Sequence, residues 1–485
     1  PKALELAERA RVMVTELGDR RKQAMVLNNM CNTYQSTGAY DQAFTACKQS
    51  LSIAREIHDR ATEANALNNL GNAYYSTGDY QKTIDFYIQA RELNKQLGNR
   101  RGEGMALNNI GWIYATLGDP QKSIDSYNQA LELFRALGDK MREAAVLNNL
   151  AVSYSDAGDF RKALDAHLKV LPLRELSNNR DQKATTLENI AECYDHLGEK
   201  DKAIDYYNQT LALLRPNGDP RLIAATLKNL GRVYRERGEY EKALELLNEA
   251  SQTALRTGDK FHEGIAFAET AYVERAKGNL LEAKKLIGQA VAAFESLRVS
   301  VKSPQLRASF MATARDYYEF ETDLLMRLHK QHPADGFDAA ALAASEKGRA
   351  RSLLELLAES RTEIREGVDA SLLAREQELR DLIAEKAERQ IRLRSGQNNE
   401  DAADKVAKEI SALTMEYEQV LARIRETSPQ YAALTQPLPL TLKDIQTKVL
   451  DKETLLLEYS LGEERSFLWA ITHDSITTFE LPNRQ

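Results

Sequence analysis

Leu67-Asn68-Asn69-Leu70-Gly71-Asn72-Ala73-Tyr74 returns as Leu107-Asn108-Asn109-Ile110-Gly111-Trp112-Ile113-Tyr114, forty residues on. The same frame gives Leu147-Asn148-Asn149-Leu150 and Leu227-Lys228-Asn229-Leu230-Gly231. Half of the 24 glycines fall on a series with half that period: Gly18, Gly38, Gly78, Gly98, Gly118, Gly138, Gly158, Gly198, Gly218, Gly238, Gly258 and Gly278. The two vacant slots hold His58 and Asn178, and Asn is the next best residue for a left-handed helix cap. Each glycine closes one helix, because it accepts positive φ without a Cβ clash. An acidic residue or Asn usually follows, as in Gly78-Asp79 and Gly238-Glu239, and can cap the next helix. Twenty residues hold a helix of about 16 and a tight turn, so the forty-residue unit is a helix pair.

Small residues at Gly71, Gly111, Ala151, Ala191, Gly231 and Ala271 let two helices approach closely. Twelve residues further on, Ala43, Ala163, Ala203, Ala243 and Ala283 supply the matching small surface. Tyr34, Tyr74, Tyr114, Tyr154, Tyr194 and Tyr234 fill the space between helices. Seven copies run from about Arg20 to about Arg298, and residues 1–18 carry only a second helix, with Ala3 and Ala10 in register. Such an array buries its core only by stacking, which builds an extended superhelix with a concave face. These residues resemble the tetratricopeptide repeat (TPR), in the longer form of kinesin-light-chain-like proteins. The last copy departs from it: Glu274 replaces the tyrosine and Glu269 the Asn, which predicts a transition to a different packing. The resemblance implies an all-α superhelical solenoid that binds proteins or peptides and does no chemistry of its own.

The composition fits. With 65 Lys and Arg against 72 Asp and Glu, the net charge of −7 argues against a nucleic-acid partner. No apolar run approaches the length of a membrane span. Three cysteines cannot make a disulfide framework, and a reducing, cytoplasmic location is expected. At roughly 150 residues per domain, 485 residues predict about three domains. The chain opens Pro1-Lys2-Ala3, without Met or signal peptide, and is expected to be a segment of a longer protein.

In the TPR frame the first helix of each pair lines the concave groove. Repeats one to four then offer polar, uncharged side chains: Asn28, Asn32, Asn68, Asn72, Asn108, Trp112 and Asn148. Repeat five offers acids, Glu188, Glu192 and Asp195; repeat six offers bases, Lys228, Arg232 and Arg235, followed by Arg275. Both trios sit at i, i+4 and i+7, one helix face. Two readings stand side by side. The trios occupy equivalent positions on neighbouring helices and pair with each other, Glu188 with Lys228. Alternatively, the Asn residues clamp the backbone of an extended peptide, for which a side-chain amide has both donor and acceptor, while the arginines take an acidic side chain. The Asn residues also suit bonds between adjacent repeats.

After Arg298 the series stops. Ser303-Pro304 opens a helix from Gln305 to about Lys330, with Phe310, Tyr317, Phe320, Leu324 and Leu328 on its apolar side. A second helix is expected from about Phe337 to Ser360, then a charged hairpin turning at Ser395–Asn399. The second arm carries Val406, Ile410, Leu413, Tyr417, Val420 and Ile424 at coiled-coil spacing. Pro429, Pro437 and Pro439 mark a linker before three predicted strands, Thr454–Ser460, Ser466–Thr472 and Ser475–Leu481. The domains are therefore placed at 1–298, 299–360, 361–428 and 429–485. Asp316-Tyr317-Tyr318, the run Ser345–Leu357 and the run Leu455–Trp469 resemble the start of CHAT domains, the caspase-like cysteine peptidases that bacteria attach to TPR arrays. The resemblance implies that the strands open an incomplete α/β, caspase-like domain whose catalytic His and Cys lie beyond residue 485.

No catalytic residue is assigned. There is no Cys after Cys193, and His473 beside Asp474 lacks a nucleophile. His329 and His332 have no third ligand for a metal, and no phosphate loop or dinucleotide glycine pattern occurs, so neither metal nor cofactor is expected. Cys31, Cys47 and Cys193 read as buried, inert thiols. The expected function is a protein- or peptide-binding scaffold, the sensor part of a bacterial TPR–CHAT peptidase; the alternative is a non-enzymatic adaptor. Oligomeric state is not readable.

Overall fold

The computed structural model describes residues 2–37, 39–175, 179–300, 304–359, 369–394, 400–427 and 440–483. The series positions Gly38 and Asn178, the turn at 395–399 and the proline linker at 428–439 lie outside them. After α1 (Lys2–Glu16), helices begin every twenty residues: α2 (Arg20–Ser36), α3 (Tyr40–Glu56), α4 (Arg60–Ser76), α5 (Tyr80–Gln96), α6 (Arg100–Thr116), α7 (Pro120–Ala136), α8 (Lys140–Asp156), α9 (Phe160–Glu175), α10 (Arg180–His196) and α11 (Lys200–Leu214). They continue as α12 (Pro220–Glu236), α13 (Tyr240–Thr257), α14 (Lys260–Lys277) and α15 (Leu280–Ser300). The turn chemistry is as the sequence predicts. Gly78 takes φ 77°, His58 takes the same left-handed conformation at φ 56°, and Asp59 and Asp79 accept from the backbone N–H of Thr62 and Lys82. Gly218 alone among the described positions of the series is not left-handed. Pro216 ends α11 early, at Leu214, and Pro220 holds Asp219 extended (φ −63°, ψ 121°).

The chain forms two compact units, residues 1–210 and 211–485, and the division falls inside α11. In the first unit each helix packs on the next, and α2 also touches α4, as α6 touches α8. The first helices of the pairs thus form the more closely packed layer.

A seam of unequal partners holds each pair together. A Cβ placed on Gly71 would lie 2.5 Å from the Tyr87 ring, and one on Gly111 2.8 Å from Tyr127. Both rings are fully buried. The small residue of the first helix therefore receives the large residue sixteen positions later, not only the alanines twelve positions later, which are buried as well. The same contact recurs between Gly231 and Leu247, and the same spacing relates Ala151 to His167 and Ala191 to Tyr207, all of them buried.

In the first pair this register is filled by Cys31 and Cys47, which are disulfide-bonded with Cα atoms 5.3 Å apart. This corrects the expectation of inert thiols there, and with it the argument for a reducing compartment. Two helices brought to glycine-like separation place both Cβ atoms within bonding reach. A disulfide closing a loop of this length stabilises by about 2–3 kcal/mol, mainly through the unfolded chain. Thiol labelling of denatured, unreduced protein should find Cys193 alone, and reduction should lower stability by that amount. Three reactive thiols before reduction would contradict the bond. Cys193 itself is buried, and burial pushes its thiol up to about 11, so the inert reading fits it.

His167 makes the first unit acid-sensitive. Its side chain is buried, its Nδ1 has no hydrogen-bond partner among the described residues, and burial pulls its pKa from 6.5 down to about 4. The unfolded chain takes up the proton at higher pH than the folded one, so this contribution is complete above about pH 6.5 and is lost as pH falls towards 4. The slope is at most about 1.4 kcal/mol per pH unit. In urea titrations His167→Gln should flatten the dependence across that window; an unchanged slope would assign the acid sensitivity to other groups.

In the second unit α16 (Pro304–Gln331) lies between two cores. Tyr317, Phe320, Leu324 and Leu328 pack with Ala271, Ile287 and Phe294 of the seventh pair. Leu325 and Met326 pack with Ala341 and Leu342 of α17 (Phe337–Glu359) and with Phe467, Trp469 and Ile471 of the sheet. Helices α18 (Ala370–Arg394) and α19 (Glu400–Thr427) form the charged hairpin, closed by Leu379 and Ile383 against Tyr417, Val420 and Ile424 and by Lys386 to Glu409 at 2.6 Å. A short turn (Leu442–Asp444) runs into a π-helical turn (Ile445–Val449) and then β1 (Leu456–Leu461), β2 (Ser466–Ile471) and β3 (Ile476–Leu481). The three strands form an antiparallel meander in sequence order, with Tyr459 opposite Leu468 and Leu468 opposite Phe479.

Candidate functional site

The expected groove residues fall on the first helices α2, α4, α6, α8 and α10. One inter-repeat bond recurs along the first unit. Asn69 donates its amide N–H to Asn28 Oδ1 (2.9 Å), Asn109 to Asn68 (3.0 Å) and Asn149 to Asn108 (3.0 Å). Asn28, Asn68 and Asn108 thus give their carbonyl oxygens to the next repeat, and their NH2 groups are the donors that this bond leaves over. Asn72 accepts from the Tyr87 hydroxyl at 2.5 Å, while Asn32 is exposed. Asn148 is half-buried.

Trp112 is 42 % exposed, and its ring centroid lies 4.3 Å from that of Tyr75 on the preceding repeat. An indole tilted at 47° against a tyrosine and partly open to water offers a large, rigid contact area at little entropic cost.

The two charged trios do not stand equal. Glu188 and Glu192 lie on α10, Glu192 exposed, but Asp195 is buried and ion-paired with Lys200, which removes it from the accessible face. In the second unit Arg232 pairs with Glu236 at 3.4 Å and Arg235 lies 3.4 Å from Glu269, the acid that stands where earlier repeats have Asn. Lys228 is half-buried on the same helix.

Arg275 is placed differently from the sequence expectation. Its guanidinium grips both carboxylate oxygens of Glu464, in the turn between β1 and β2, at 3.0 Å each, and reaches Asp323 of α16 at 3.3 Å. Arg465, next in the turn, donates from Nε to Asp323 at 2.8 Å, and Arg327 reaches Asp323 at 2.7 Å and Glu464 at 3.4 Å. Aromatic faces continue the cluster. Arg235 lies over Tyr272 at 5.5 Å, and Arg275 over Phe320 at 4.7 Å. Burial pushes the Tyr272 hydroxyl up to about 12. Asp323, Glu464 and Arg465 were not legible as a site, since Asp323 lies 142 positions from Arg465 across the α16–turn contact.

His473 Nδ1 lies 2.7 Å from Asp474 in the β2–β3 turn, and His329 stands 3.9 Å from Asp338. Among the described residues no three His, Cys, Asp or Glu side chains could share a metal, and no helix is long and apolar enough to cross a membrane.

The tetratricopeptide repeat family model matches residues 22–96, 62–136, 142–215 and 222–296. No curated protein matches the sequence. Among solved structures, BtubC (BKLC) from P. vanneervenii is similar at 21% identity and a TM-score of 0.41, over 43% of this chain and 89% of that one. A signal transduction ATPase with numerous domains and a tetratricopeptide repeat sensor, from Pyrococcus horikoshii, aligns over 73% of this chain and 54% of its own at 16% identity and a TM-score of 0.51, a shared fold. A Rap protein complexed with competence and sporulation factor aligns over 68% of this chain and 99% of its own, at 15% identity and a TM-score of 0.42.

Proposed function

Because the chain belongs to the tetratricopeptide repeat family, a scaffold suited to protein binding, we propose that α4, α6 and α8 hold an extended polypeptide across Asn68, Asn72, Asn108, Trp112 and Asn148. The observation that carries this is Trp112, exposed on the same helix face as the asparagine amides and braced by Tyr75. The Asn–Asn bonds sharpen the clamp: the NH2 groups would donate to peptide carbonyls, while the oxygens stay with the neighbouring repeat. Nucleic acid and membrane play no part in this reading, and no location is proposed, since the Cys31–Cys47 disulfide removes the argument for a reducing compartment.

The test uses peptides selected on the full chain from a random library. Trp112→Ala should weaken them at least tenfold with the melting temperature unchanged, the usual loss of an interface hot spot. Asn68→Ala, Asn108→Ala and Asn148→Ala together should also weaken binding, but orphaning Asn109 and Asn149 should cost about 0.5–1.5 kcal/mol of stability per lost bond. Selected peptides that bind every variant equally would refute the clamp.

The finer reading is that the array is the sensor part of a bacterial CHAT peptidase whose His and Cys lie in further sequence. What supports it is the meeting of the three stretches that resemble that family. Tyr318, Ser345, Gly348, Arg349 and Tyr459–Leu461 line one cleft of about 330 Å³, and Arg349 pairs with Glu458. Continuing the gene's sequence tests it: a His and then a Cys, each following a strand, support the peptidase, and their absence favours an adaptor.

A further inference from the structure

We propose that the β1–β2 turn is a built-in competitor for acidic ligands: Glu464 holds the guanidinium of Arg275, at the seventh repeat, where a partner's carboxylate would otherwise land. The inference rests on the polypeptide-binding reading and adds a ligand class, an acidic segment, and a means of regulation.

Repeat arithmetic sets the position. Arg275 succeeds Arg235 by forty residues on the equivalent face, and Tyr272, the equivalent of Arg232, lies between the two guanidiniums, 5.5 Å from Arg235 and 6.0 Å from Arg275. A row of arginines therefore runs from α12 to α14, Arg232 and Arg235 already beside Glu236 and Glu269, and its last member, Arg275, meets Glu464. The two carboxylates of the cluster differ in kind. Asp323 is the anchor, with a side chain only 12% exposed and bonds to Arg275, Arg327 and Arg465. Glu464 is the outer member, with a side chain 59% exposed and, among the described residues, bonds only to Arg275 and Arg327.

Charge balance shows what its departure does. Arg275, Arg327 and Arg465 face Asp323, Glu464 and Glu480, and withdrawing Glu464 leaves one guanidinium charge uncompensated. An incoming carboxylate would take up the two parallel N–H donors of Arg275 that Glu464 holds. Exposed ion pairs are weak, so the exchange is within reach of a ligand with several acids. The turn up to Glu464 would come away from α14, while the Arg465 side chain keeps its place on Asp323.

The probe is a hexaglutamate peptide, titrated by fluorescence anisotropy at low salt against the full chain and its Glu464→Gln variant. Gln keeps the size and removes the charge. The expected result is binding about two- to sixfold tighter to the variant, the factor that an exposed competing pair commands, and loss of that gain in Glu464→Gln/Arg275→Gln. Peptide added to the unsubstituted chain should raise hydrogen exchange of the amides from Gly462 to Arg465. Equal affinity for both proteins overturns the competitor while leaving the Trp112 test untouched. Absence of hexaglutamate binding to either protein also overturns it.

Discussion

Tyr127→Ala is expected to destabilise the first unit by about 3–5 kcal/mol, as truncating a fully buried aromatic side chain does. The ring fills the space over Gly111, where the backbone of α6 comes close enough to leave no room for a methyl group. Removing it leaves a void among Leu107, Ala130, Leu131 and Leu147, which are backbone-anchored in three helices and cannot collapse into it. Gly111→Leu should destabilise by about 1–3 kcal/mol for the opposite reason, overpacking. The decisive comparison is the double substitution. If small and large residues are complementary partners, Gly111→Leu/Tyr127→Ala should cost at least 1 kcal/mol less than the sum of the singles. Urea unfolding followed by Trp112 fluorescence measures all three. Strict additivity would mean that the two positions do not share a seam.

Asp323→Ala is expected to cost roughly 3–4 kcal/mol in the second unit. Its side chain accepts from Arg275, Arg327 and Arg465, and removing it leaves three guanidiniums gathered with only the outer carboxylates to offset them. Breaking a buried ion pair from one side is more damaging than replacing the pair, because the stranded charge keeps its desolvation penalty. The figure sits at the lower end of that class because Arg327 is about a third exposed and can turn to water. Trp469, fully buried in the core shared by the sheet and α16, reports the loss directly. Asp323→Asn, which keeps an acceptor oxygen and drops the charge, should fall between the two. A midpoint within error of the unsubstituted chain would show the cluster to be ornamental.

The solenoid was legible because its determinants are local and repeat. Gly at a left-handed turn, Asp at the following cap and Ala or Gly at a close approach each act within one helix pair, so a forty-residue register exposes them. His58 shows that the slot, not glycine itself, is what the register reads. Where a second local rule intervened, as with Pro216 and Pro220 around Gly218, the register gave way. The seam was read only from its small side, since Tyr87, Tyr127 and His167 share no residue type with Leu247 or Cys47. The disulfide went unseen for the same reason: a pair of cysteines sixteen apart has no signature until the helices are paired. The chemistry of the expected face was only partly legible. Asp195 lies on the expected face by spacing but turns to Lys200, and Arg275 lies on it but is held by a turn nearly two hundred residues away. Contacts between distant segments have no period to announce them.

The claim that the first helices form a polypeptide-holding face is tested most directly at Trp112. The chain has two tryptophans, and Trp469→Phe leaves Trp112 as the sole reporter. Acrylamide quenching of that variant should fall by about half or more when a library-selected peptide binds, with emission moving to shorter wavelength, because an indole now 42 % exposed becomes covered. Saturating peptide that leaves quenching and emission unchanged would place the binding elsewhere and contradict the account.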